Sequence, residues 1–182
     1  MKPLPRKLPQ HSTKDHCLVV LNGPSGDLMP DQDCETFVCN GNFLRRRWDH
    51  IVSLDHQRIQ FARQHGHGVW TRPRFCRGQD IPVPDNHMVF NDSGNAAIWA
   101  AHTMYDTVII VGADSWLGGE EYTVCRELYH VADKKPKLPP IWFKRFLDWS
   151  GQTTNNYIFV WPTIKLGVKT QRLEQVLTKY FV

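Results

Sequence analysis

The sequence predicts an α/β fold, a single doubly wound and mostly parallel sheet with helices on both faces. Three observations carry the prediction. Apolar runs of strand length, rich in Val and Ile and bounded by turn residues, recur along the chain. Segments with apolar residues at helical spacing stand between them. The runs are near-continuously apolar rather than alternating, as strands covered on both faces must be.

Taken in order, residues 1–15 are rich in Pro, Lys and His without a period and read as a flexible basic arm, with 16–182 as a single α/β domain. CLVVL (17–21) is the first strand and runs into the turn Asn22-Gly23-Pro24-Ser25-Gly26. TFVCN (36–40) ends at Asn40-Gly41-Asn42, and HIVSL (50–54) at Asp55-His56, where the helical pattern HQRIQFARQHG (56–66) begins. HMVF (87–90) reads as a strand ahead of Asn91-Asp92-Ser93-Gly94-Asn95, which opens the helix SGNAAIWAAHTMY (93–105) with Asp92 or Ser93 as its cap. TVIIVG (107–112) ends at Gly112-Ala113-Asp114-Ser115, YIFVW (157–161) is a further strand, and a helical tail runs from about Thr170 to Tyr180. TRPRFCRGQDIPVPDN (71–86) and KKPKLPP (134–140) hold several prolines and no period, so both read as long loops able to contact an acceptor.

Composition narrows the function. The chain has no apolar run of about 18 residues and no apolar stretch behind its basic start, so a soluble protein of the cytoplasm is expected. Five cysteines without a C-x-x-C pair read as reduced thiols. A net charge of +4 permits an anionic ligand without demanding nucleic acid. Arg45-Arg46-Arg47 and Arg72, Arg74 and Arg77 are local basic clusters, each equally readable as a solvated face.

In open α/β sheets ligands bind outside the carboxyl ends of the strands, so the strand ends define a pocket. Here all of them are small or polar. Gly23 and Gly26 let the backbone approach a ligand, Ser25 adds a hydroxyl, and free amides after the strand can face an anion. The same turn sequence serves any protein as a plain turn. Neither a phosphate-binding G-x-x-x-x-G-K-S/T loop nor a G-x-G-x-x-G dinucleotide fingerprint is present. Asp92-Ser93-Gly94 can simply cap a helix or can receive a phosphate at its positive end.

The succession LVVLNGPSG, FVCNGNF, SLDHQ and NDSGNAAIWAAHTMYDTVIIVGADSW resembles the core of the small bacterial sialyltransferases of glycosyltransferase family 42. It is similar also to flagellin-modifying glycosyltransferase-like and pterin pyrophosphokinase-like domains. The likeness spans 17–116. It implies a Rossmann-like core and a nucleotide-sugar site without a tightly bound cofactor. In it Asn22, Gly23, Pro24 and Ser25 lie against the phosphate and Asn40 against phosphate or ribose. Ser93 and Gly94 hold phosphate or donor sugar, and Gly112 to Asp114 face the nucleoside. The sequence departs from the family in having Leu21 for the first glycine of G-N-G-P and Asp55-His56 for Asn-Pro.

The expected activity is therefore a metal-independent glycosyltransferase that moves a sugar to an acceptor hydroxyl. Its base is His130, the one histidine beyond Asp114, or His56 beside Asp55 at a strand end. No D-x-D stands at a strand end, and His65 and His67 lack ligand companions, so no metal site is expected. Trp99 reads as core, while Trp48, Trp70 and Trp116 can stack on a base or sugar. The basic arm and Arg-rich loops suit a phage-encoded enzyme acting on modified DNA bases. Two alternatives stay open. One is a nucleotide-binding module without catalysis; the other is a phosphoryl or pyrophosphoryl transferase needing Mg²⁺ held by Asp55, Asp92 and Asp114.

Overall fold

The computed structural model describes residues 15–84, 92–118, 140–163, 165 and 167–181. Eight strands form one sheet, and every pairing in it is parallel. They are β1 (His16–Val20), β2 (Thr36–Cys39), β3 (His50–Val52), β4 (Trp70–Thr71), β5 (Ile81–Pro82), β6 (Thr107–Val111), β7 (Asn156–Val160) and β8 (Lys169–Gln171). Across the sheet the order is β5-β4-β3-β2-β1-β6-β7-β8. The chain winds outward from β1 to β5, returns to the other side of β1 as β6, and winds outward again. The reversal between β1 and β6 is the switch point of a doubly wound α/β sheet.

Period-two geometry divides the core between two faces. Cys17, Val19 and Leu21 pack with α2 (Ser93–His102) and α4 (Pro140–Ser150). Leu18 and Val20 pack on the opposite face with α1 (His56–Gln64) and α5 (Leu173–Tyr180). Helix α2 lies close on the sheet because Ala96, Ala97, Ala100 and Ala101 are small and fully buried. The register brings Val20 level with Val38 and Val111, so β1, β2 and β6 end side by side.

Several expectations need correction. The 71–86 segment holds the last residue of β4 and all of β5, strands of two residues each that are too brief to carry a period. Residues 169–171 pair as β8 instead of beginning the helical tail, which starts at Leu173. Helix α4 stands where no element was expected; its aromatic residues, with Phe146 and Trp149 buried, cover one face of the sheet. HMVF, and all of KKPKLPP but its last proline, lie outside the described residues. Arg46 is not on a solvated face: it donates to the carbonyls of Gly26 (3.0 Å) and Met29 (2.8 Å), bracing the loop after β1. Cys17, Cys34, Cys39 and Cys76 are free thiols, and burial pushes those of Cys17 and Cys39 well above their ordinary range. Among the described residues no helix is long and apolar enough to cross a membrane.

The excursion between β4 and β5 is built around Asp80. Its carboxylate, 1% exposed, accepts from Arg63 Nε (3.0 Å) and Nη2, and from the Val69 (2.9 Å) and Arg77 (2.8 Å) amides. Removing it leaves the Arg63 guanidinium without its counter-charge and two amides without an acceptor. Asp80→Ala is therefore expected to cost about 3 kcal/mol of unfolding free energy in urea melts; a loss below about 1 kcal/mol would show that water replaces the carboxylate.

Candidate functional site

The loops after β1 and β6 are knotted together at the switch point. Ser25 Oγ donates to Asp114 Oδ2 (2.7 Å), the Ser25 amide donates to both oxygens of the same carboxylate (3.1 and 3.2 Å), and the Gly112 amide donates to Ser25 Oγ (3.1 Å). The Gly23 amide donates to the Gly112 carbonyl (2.7 Å). Only glycine fits at 23, because a Cβ there would overlap Asp114 Oδ2 and the Gly112 carbonyl. Gly112 has φ +77°, and a Cβ on it would collide with the Leu21 carbonyl. Asn42, in the turn after β2, holds the knot, its Nδ2 donating to the Leu21 carbonyl (3.0 Å) and to Asn22 Oδ1 (3.2 Å).

Above this floor opens a cavity of about 390 Å³. Its walls come from five strand ends: Asn22 and Gly23 after β1, Cys39 at the end of β2 and Asn40 after it, Leu54 and Asp55 after β3, Arg72 after β4, and Gly112, Ala113 and Ser115 after β6. The start of α2 and the rings of Trp116, on the one-turn helix α3 (Asp114–Leu117), and of Trp142 complete it. Such a concave site at the switch point is where this architecture binds ligands. Asn40 takes φ +52°, a conformation uncommon outside glycine, and its Oδ1 is held by Ser53 Oγ at 2.8 Å.

Helix α2 presents its N-terminus to the cavity. Asp92 caps it, accepting the Asn95 amide (2.8 Å) and Asn95 Nδ2 (2.7 Å). The fully buried Asn95 also donates to the Trp142 carbonyl (3.0 Å) and accepts from Trp149 Nε1 (2.8 Å), which docks α4 against the site. Ser93 Oγ accepts the Leu54 amide at 2.9 Å. Burial pushes the Asp92 carboxyl above its ordinary value, against the hydrogen bonds from Asn95 and Gly94.

Of the residues singled out in the sequence, Asn22, Gly23, Asn40, Asp55, Ser93, Gly94 and Gly112 line the cavity. Pro24, Ser25 and Asp114 do not: the turn expected to cradle a phosphate spends its Gly23, Ser25 and Gly26 amides on internal bonds. His56 is exposed at the start of α1, its ring against Gln60 and Phe75, away from the cavity wall. His130 lies outside the described residues. Trp48 and Trp70 are packed in the core, and Trp99 is partly buried against it. Arg72 and Trp142 carried no motif of their own; the Arg72 cluster was visible only as charge. No group of three or more His, Cys, Asp and Glu able to hold a metal occurs among the described residues, so Asp55, Asp92 and Asp114 form none. No protein-family model, no curated protein and no solved structure matches the chain.

Gly23→Ala is expected to lower unfolding free energy by at least about 2 kcal/mol, read in denaturant melts, because backbone and carboxylate must both move. Asp92 sets a pH dependence. Its folded-state value is raised, so its contribution to stability is complete below the unfolded carboxylate value of about 3.9 and is lost as pH rises through the folded value. Melts of wild type and Asp92→Asn across that range are expected to show the wild type losing ground to the variant as pH rises; a constant difference contradicts the assignment.

Proposed function

We propose that the cavity binds a nucleotide sugar and that the protein is a glycosyltransferase using it as donor. One observation carries the reading: the strand ends around the switch point enclose a cavity combining a helix N-terminus, a cation and two tryptophans. Arg72, the only cationic side chain among its described lining residues, and the start of α2 receive the donor phosphate. Trp116 and Trp142 provide apolar faces for the base. Trp116 Nε1 is buried without a hydrogen-bond partner among the described residues, and a ligand oxygen would supply one.

In the transfer the acceptor hydroxyl oxygen attacks the anomeric carbon, the bond from that carbon to the phosphate oxygen breaks, and the nucleotide leaves. The hydroxyl proton goes to Asp55, which lines the cavity and is oriented by the Gln57 amide on its Oδ1 at 2.9 Å. A second reading, a nucleotide-binding module without catalysis, is favoured by the fact that Asp55 already serves as the cap of α1.

Incubation with uridine, cytidine, guanosine and adenosine nucleotide sugars is expected to release nucleotide from one of them; no binding and no turnover of any donor sinks the proposal. Arg72→Ala is expected to weaken nucleotide binding about tenfold and leave the matching nucleoside unaffected. Asp55→Asn keeps the cap and removes the base, so kcat is expected to fall by about 100-fold with donor affinity unchanged; full activity in that variant favours the non-catalytic reading or another base.

A further inference from the structure

A second groove lies on the same edge of the sheet. It follows the carboxyl ends of β7 and β8 and is bounded by Trp161, Thr163, Thr170, Arg172, Gln175 and Lys179, with a volume of about 790 Å³. Its charge differs from that of the first cavity. The cavity sets Arg72 against Asp55 and Asp92, whereas the groove is lined by two cations and by no acid among its described residues. Arg172 and Lys179 are both exposed on α5 and at its start. Trp161, half-buried, offers a ring beside them, and Gln171 Oε1 is buried without a partner among the described residues. The two openings are neighbours, because β7 pairs directly with β6, whose end walls the first cavity. One strand spacing is about 4.8 Å. Lys165 Nζ lies close to Gly118, which ends the short helix that follows β6.

We infer that this groove is the acceptor subsite and that it takes the phosphodiester backbone of a single-stranded nucleic acid. The inference rests on the glycosyltransferase reading for the word acceptor and on the groove alone for the ligand. Cations without competing acids suit a polyanion, and an adjacent indole suits the bases that a single strand leaves unpaired. The position fits transfer: a strand lying along β7 and β8 would bring a base to the edge of the donor cavity.

The test is fluorescence anisotropy with a labelled oligothymidylate of about 12 nucleotides, a length within single-strand site sizes, titrated between about 50 and 200 mM salt. Wild type is expected to bind with a log–log salt slope that becomes shallower by about 1.4 in the Arg172→Ala/Lys179→Ala double variant, or about 0.7 per cation. Both residues are exposed, so the fold is retained. Arg74→Ala/Arg77→Ala, in the excursion between β4 and β5 at the opposite edge of the sheet from β8, is expected to leave the slope as it is. The inference is overturned by absent binding, by an unchanged slope in the double variant, or by the Arg74/Arg77 pair carrying the effect. It is equally overturned if glycerol 3-phosphate binds in an Arg172- and Lys179-dependent way while the oligonucleotide does not. Donor turnover without oligonucleotide binding removes this inference only; localised oligonucleotide binding without turnover of any donor removes the enzyme reading and leaves a nucleic-acid groove.

Discussion

The carboxylate of Asp114 is what the rest of the site depends on. It is 7% exposed and takes both donors of Ser25, joining loops that are 89 residues apart in the chain. A buried carboxylate is stable only when its lone pairs are met, and here one serine meets them with its amide and hydroxyl. Closing that contact draws the loop after β1 against the loop after β6, so close that position 23 has no room for a side chain. The floor of the cavity is thus rigid, and the groups that face a ligand stand around it.

That knot reassigns roles. The amides after β1 would have been anion donors in a free turn, but they are used within the protein. In the proposed reading, reception of charge passes to Arg72 and the start of α2, and reception of flat surface to Trp116 and Trp142, all of which line the cavity. Arg72 depends in turn on the Asp80 network that holds its loop, and Trp142 on Asn95, whose amide group bridges α2 and α4. Two buried polar residues, neither lining the cavity, therefore hold its cation and one of its aromatic walls in place. The parallel sheet extends the same edge beyond the cavity to the ends of β7 and β8, where the charged side chains among the described lining residues are Arg172 and Lys179. A single edge then offers two environments, one mixed and enclosed, one cationic and open.

Much of this was legible in the residues. Apolar runs such as CLVVL and TVIIV, bounded by turn residues, read as buried strands, and the cap of α2 was narrowed to Asp92 or Ser93, of which Asp92 serves. The two-residue strands were not legible, because residues such as Trp70-Thr71 become a strand only by pairing with neighbours. Helix α4 was hidden for a different reason. Its aromatic residues are scattered over PIWFKRFLDWS with charges between them, and the pattern resolves only once one side has a sheet to cover. Arg46, one of three consecutive arginines, was indistinguishable from its neighbours until the loop it braces was in place.

The sequence by itself determined the α/β class and the polar character of the strand ends, since both follow from local chemistry that repeats along the chain. Which of those ends meet, and what each group there is free to do, only the tertiary structure decided. The strand order places β6 beside β1, and that contact alone converts Ser25 and Asp114 from ligand-facing candidates into each other's partners while leaving Asn22, Asn40 and Ser93 at the wall. Hydrogen-bonding capacity is a property of a residue; whether the capacity is already spent depends on neighbours that are distant in the chain.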